Sequence, residues 1–198
     1  AIAEQKAGII KQGIPLVTGH IVPEALTVID PIAEAKNAPR LAYGSDYQVR
    51  HQESMVAGEI FDYTSSVRTG RFQTGLLGLH QIENAGMALA LLDIYCQEIG
   101  QELASDDLLA QALEETRWPG RLEVLSSEPM MILDGAHNPH AIKALLTTLQ
   151  ERFADYHKEI LFTCIKNKAL EDMLDLLETV PDSQLTVTHF DDSRATDE

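Results

Sequence analysis

From residue 129 onward, apolar runs short enough for strands alternate with amphipathic stretches long enough for helices, and this alternation limits the fold more than any other feature of the chain. The strand-like runs cover 129–134, 159–165 and 184–190, and between them 139–153 and 169–179 repeat apolar residues at helical spacing. Ile142, Leu145, Leu146, Leu149 and Phe153 make one stripe; Leu170, Met173, Leu174 and Leu177 make the other. Strands alternating with helices join into a mostly parallel, doubly wound sheet with right-handed crossovers, so the class is α/β.

Ahead of this layer stands Trp118-Pro119-Gly120. Proline cannot continue a helix and disfavours the helical conformation in the residue before it, so a domain boundary is expected here, with 1–118 on one side and 119–198 on the other. In the first part, Ile2 to Lys11 is spaced like the end of a helix, and Gly13-Ile14-Pro15 stops it before the strand-like Leu16-Val17-Thr18. Residues 23–37 predict a helix, and 40–78 predict short strands or a hairpin around Thr64-Ser65-Ser66. A helix from Gln81 is closed by Gly100. The next is capped by Ser105, with Asp106 and Asp107 at the positive end of its dipole and Leu108, Leu109, Ala112 and Leu113 as its apolar stripe. The chain opens inside a helical pattern and stops after a strand with nothing to cover it, so both ends are expected to be cut.

Fifteen basic against thirty-one acidic residues give a net charge of −16, a balance that repels phosphate backbones and argues against a nucleic-acid partner. No apolar run approaches the roughly 18 residues that span a bilayer, and AIAEQKAGIIK lacks the apolar core of a signal peptide. A cytoplasmic, membrane-independent monomer is the expectation. Cys96 and Cys164 lie in apolar stretches and read as buried free thiols.

The richest stretch for chemistry is Met130 to His140: an apolar strand ending in Asp134, a turn at Gly135, an N-cap at Asn138 and Pro139 at the first helical position. Ligands of open α/β sheets sit at such strand ends, beside helix N-termini. Asp134 could accept from ribose hydroxyls with His137 against the nucleotide, or it could merely satisfy loop amides while His137 stays a surface residue. Arg121 could reach a phosphate with its fork of donors or form an ordinary salt bridge. Asn84, near the start of a helix, could meet an adenine edge or act as a cap. Lys6 reads as a solvated charge at a helix end, or as a buried, neutral amine able to capture carbon dioxide. No Gly-x-x-x-x-Gly-Lys-Ser/Thr loop is present, so these residues cannot cradle a triphosphate that way.

Taken in order, Ile2 through Pro15, Pro119-Gly120-Arg121, Asp134 through His140 and the helix start Gln81–Asn84 resemble the folylpolyglutamate synthase/dihydrofolate synthase family of the Mur-ligase superfamily. The resemblance implies the end of a P-loop-type ATP-binding domain followed by a small Rossmann-like, mostly parallel C-terminal domain. It implies an enzyme that uses ATP and Mg2+ to add L-glutamate to folate or dihydropteroate through an acyl phosphate. Lys6 falls on the family's carbamylated lysine, a catalytic and metal-binding position. Asn84, Arg121 and Asp134 fall on ATP-binding positions at the adenine, phosphates and ribose, and His137 lies beside them as a second catalytic candidate. Gln5 stands where the family usually has Glu, and Lys166-Asn167-Lys168 where it often has Asp-Lys-Asp. Without a P-loop, the chain alone is expected to be inactive. A Mur ligase of peptidoglycan synthesis and a non-catalytic α/β interaction module remain as alternatives.

Overall fold

The computed structural model describes residues 2–165 and 169–189, so the Lys166-Asn167-Lys168 departure lies outside the described residues. The chain divides between Arg117 and Trp118 into two compact units.

In the first unit, α1 (Ile2–Ala7) and α2 (Pro23–Ala35) accompany β1 (Leu16–Thr18) and β2 (Arg40–Ala42), which pair in parallel. Ala7, Ile10, Ile29, Ala33 and Ala38 form their shared core. The stretch expected to hold short strands is an antiparallel meander of β3 (Tyr47–Met55), β4 (Gly58–Ser65) and β5 (Thr69–Thr74). Strand alternation turns Phe61 and Tyr63 of β4 inward, where they meet Tyr47, Phe72 and the apolar face of α3 (Leu79–Glu98). That face carries Ile82, Ala85, Leu89 and Ala90 at helical spacing. Gly86 permits a close approach: a Cβ there would lie 2.4 Å from Val49 Cγ1. Beyond α3, Gly100 adopts φ +67, the left-handed conformation that terminates helices.

Ser105 caps α4 (Asp106–Glu115) by accepting from the Leu108 N–H. The expected stripe of this helix needs correction: Leu108 is 59% exposed, while Leu109 is buried and Ala110 and Leu113 pack beside it. At 100° per residue the core-facing row runs through 109 and 113, leaving 108 and 112 toward solvent.

The second unit is α/β as expected. β6 (Glu123–Ser127) and β7 (Met130–Leu133) form an antiparallel hairpin, followed by α5 (Pro139–Arg152), β8 (Lys158–Phe162), α6 (Leu170–Leu177) and β9 (Ser183–Val187). β8 and β9 pair in parallel with α6 in the crossover, and Ile142, Phe162, Cys164, Met173 and Leu177 fill the core between sheet and helices. β7 takes β6 as its partner, a strand that sequence reading passes over because Glu123 and Ser126-Ser127 blur its alternation. Both cysteines are free and buried.

Candidate functional site

β7 runs out into Asp134, whose two carboxylate oxygens are shared between two loops. Oδ1 accepts from the Ala136 N–H and Oδ2 from the Leu122 N–H, each at 2.8 Å. The Gly135 N–H donates to the Gly120 carbonyl at 2.7 Å. Asp134 therefore ties the turn at 120–122 to the loop at 134–138, the amide-satisfying role that sequence reading allows. A carboxylate offers about four lone pairs, so two amides leave acceptor capacity on the same oxygens.

His137 is exposed, with Nδ1 2.8 Å from the Gly135 carbonyl. A carbonyl only accepts, so Nδ1 carries the proton and Nε2 of the neutral ring is an acceptor. Asn138 caps α5 by accepting from the Ala141 N–H at 2.9 Å, and Pro139 occupies the first turn, where its missing N–H costs nothing. The Arg121 side chain is exposed, while its own N–H donates to Trp118 O. The structure thus gathers Arg121, Asp134 and His137 onto two interlocked loops at the strand end.

Asn84 and Lys6 belong to the first unit. Asn84 is exposed and its Nδ2 donates to Oε1 of buried Gln81, whose own amide meets His80. Lys6 is exposed in the last turn of α1, so the buried setting considered for it is not present in this chain. Among the described residues, no group of three or more His, Cys, Asp or Glu could hold a metal ion. No described helix is long and apolar enough to cross a membrane.

Two features lie outside the sequence expectation. Glu123 accepts from the Gly120 N–H at 2.8 Å through Oε2, and Leu122 holds φ +46, left-handed and rare for a branched side chain, while 3% exposed. A glutamate opening a strand carries no signal of this turn. In the first unit, buried Glu59 accepts from Gly78, the N-cap of α3, and from Ser54 Oγ. Burial pushes the Tyr47 phenol up to about 12, and its hydroxyl donates to Thr18 O.

A family described as "Mur ligase, glutamate ligase domain" matches residues 120–198. The chain is 36% identical over 180 residues to a dihydrofolate synthase/folylpolyglutamate synthase of Bacillus subtilis (strain 168), covering 90% of this chain and 42% of that protein. It resembles a solved folylpolyglutamate synthase of Thermotoga maritima with a TM-score of 0.81 at 32% identity, over 99% of this chain and 45% of that one. Against the Mycobacterium tuberculosis folylpolyglutamate synthase complexed with ADP, the TM-score is 0.86 at 30% identity, over 99% of this chain and 44% of that one. The chain spans less than half the length of each.

Proposed function

The chain belongs to the folylpolyglutamate synthase/dihydrofolate synthase family, and on that premise we propose that its protein is an ATP-dependent ligase joining L-glutamate to folate or to dihydropteroate. The observation that carries this reading is the pair of interlocked loops presenting exposed Arg121 and His137 around Asp134, in a chain alignable over 99% of its length with an ADP-bound relative.

In the proposed reaction, the γ-phosphoryl group of ATP passes to a folate side-chain carboxylate, and the amine of glutamate displaces phosphate from the acyl phosphate. The protein must neutralise charge and hold amine and acyl phosphate together. Arg121 supplies donors in a rigid fork suited to phosphate oxygens. Asp134 keeps acceptor capacity for ribose hydroxyls, and His137 lies beside the nucleotide. Asn84 retains one amide hydrogen and acceptor capacity for an adenine edge. Lys6, as a carbamate, would contribute one carboxylate to magnesium. The described residues do not by themselves make a complete metal site. The cytoplasm is the expected compartment.

The test is ADP release by the intact protein, measured with each substrate omitted in turn. The reading expects release to require both glutamate and a folate acceptor, and Arg121→Ala to raise the ATP KM by roughly ten- to hundredfold, the effect of losing a charge-assisted contact. Release that ignores the folate, or an unchanged KM, would refute it. The present chain alone, having no P-loop, is expected to release none.

A further inference from the structure

We propose that Glu123 is a positioning residue for Arg121, acting through the backbone of Gly120; this rests on the reading that Arg121 meets the nucleotide. Gly120 has φ +69, a conformation glycine enters freely, so left untethered it would be a joint about which Arg121 could swing. Glu123 closes that joint by accepting the Gly120 N–H through Oε2 at 2.8 Å. Pro119 has no N–H, so this is the first backbone donor the turn offers.

The peptide groups on either side of Arg121 are also held. The Gly120 carbonyl accepts from the Gly135 N–H at 2.7 Å, the Arg121 N–H donates to Trp118 O at 3.2 Å, and the Leu122 N–H donates to Asp134 Oδ2 at 2.8 Å. Leu122 is pinned by burial, 3% exposed. Glu123 pairs across the hairpin with Leu133, the residue before Asp134, so the two carboxylates occupy the same end of β6 and β7 and fix the turn on both sides of Arg121. The backbone under Arg121 is thereby hydrogen-bonded on both sides while the residue itself stays exposed. This arrangement lowers the ordering cost when the fork engages an anion.

The two substitutions that separate reach from charge decide the matter. Glu123→Gln keeps an oxygen at the same distance without the charge; Glu123→Asp keeps the charge but withdraws the oxygen from Gly120. In the intact enzyme, with ATP KM and kcat measured, we expect Glu123→Ala and Glu123→Asp each to raise the ATP KM by about tenfold and Glu123→Gln to stay within about twofold of the parent. In an Arg121→Ala background, Glu123→Ala should add nothing further. A KM penalty for Glu123→Ala equal in both backgrounds, an unaltered KM, or Glu123→Gln as damaging as Glu123→Ala would overturn the proposal. Should Arg121→Ala alone leave the ATP KM unchanged, the nucleotide reading falls as well. If it raises the KM while the Glu123 variants are silent, only the positioning role is lost.

Discussion

Arg68 is a buried, heavily committed side chain of the first unit. Its guanidinium pairs with Asp93 at 2.8 Å, with Asp106 and with the Ala104 carbonyl, and its side chain and that of Asp93 are 5% and 4% exposed. The hydrogen bonds it donates to Asp93 are the main cause holding its pKa above the ordinary arginine value. Removing it strands a buried carboxylate, so Arg68→Ala is expected to cost about 3–5 kcal/mol in urea unfolding; a loss below about 1 kcal/mol would mean that water already serves Asp93. Nothing in Ser65-Ser66-Val67-Arg68 announces this role, because its partners are 25 to 38 residues away. The Asp134-to-His140 loop was legible for the opposite reason: its strand end, turn, cap and proline act on neighbours. Lys6 poses a different question, since its side chain is exposed here. A lysine acting as a carbamate in the intact enzyme should lose most activity on replacement by alanine. A short carboxylate in the buffer should then restore part of it by taking the vacant ligand position. Full activity of Lys6→Ala without added acid would leave Lys6 a solvated helix-end charge.

Among the elements, β8 and β9 are joined ahead of their parallel ladder by His157. Its Nδ1 lies 2.8 Å from Asp182 and its Nε2 3.1 Å from Glu159. Both ring nitrogens can donate only in the imidazolium, and its pKa is accordingly raised, chiefly by the hydrogen bond to Asp182 and then by that to Glu159. A raised folded-state value means that the stabilisation is fully present below the ordinary histidine value of 6.5 and fades as the pH climbs through the raised one. Thermal unfolding should show His157→Gln less stable than the parent about one unit below 6.5, with the two converging about two units above it; a constant gap would exclude the ion pairs as its source. Helix α5 depends on Asn138, and Asn138→Ala should cost about 1 kcal/mol by freeing the Ala141 N–H; urea midpoints unchanged by the substitution would show the cap idle. Helices with such caps and stripes could be read from sequence. The meander β3–β5 could be read only in part, because charged and polar residues interrupt the alternation of β3. β6 was not legible because Glu123 and Ser126-Ser127 blur its alternation, and only the folded hairpin shows its pairing with β7.

For the whole molecule, a net charge of −16 sets the surface field and disfavours the phosphate backbone of a nucleic-acid partner. The same self-repulsion predicts that raising salt from about 20 to 200 mM should raise the unfolding midpoint of this chain, because the Debye length shrinks severalfold over that range; a falling midpoint would instead point to dominant attractive pairs. The family could be recognised because its motifs are local and occur in a fixed order, whereas the residues that brace them, Glu123 above all, show their purpose only once the chain is folded. The central claim concerns chemistry, and products test it most directly. The intact protein should be incubated with ATP, L-glutamate and equal amounts of folate, dihydropteroate and a nucleotide-linked muropeptide, and each acceptor followed by mass spectrometry. The account predicts ATP-dependent gain of glutamyl units on folate or dihydropteroate, with the muropeptide unchanged; glutamate appearing only on the muropeptide, or on no acceptor at all, would contradict it.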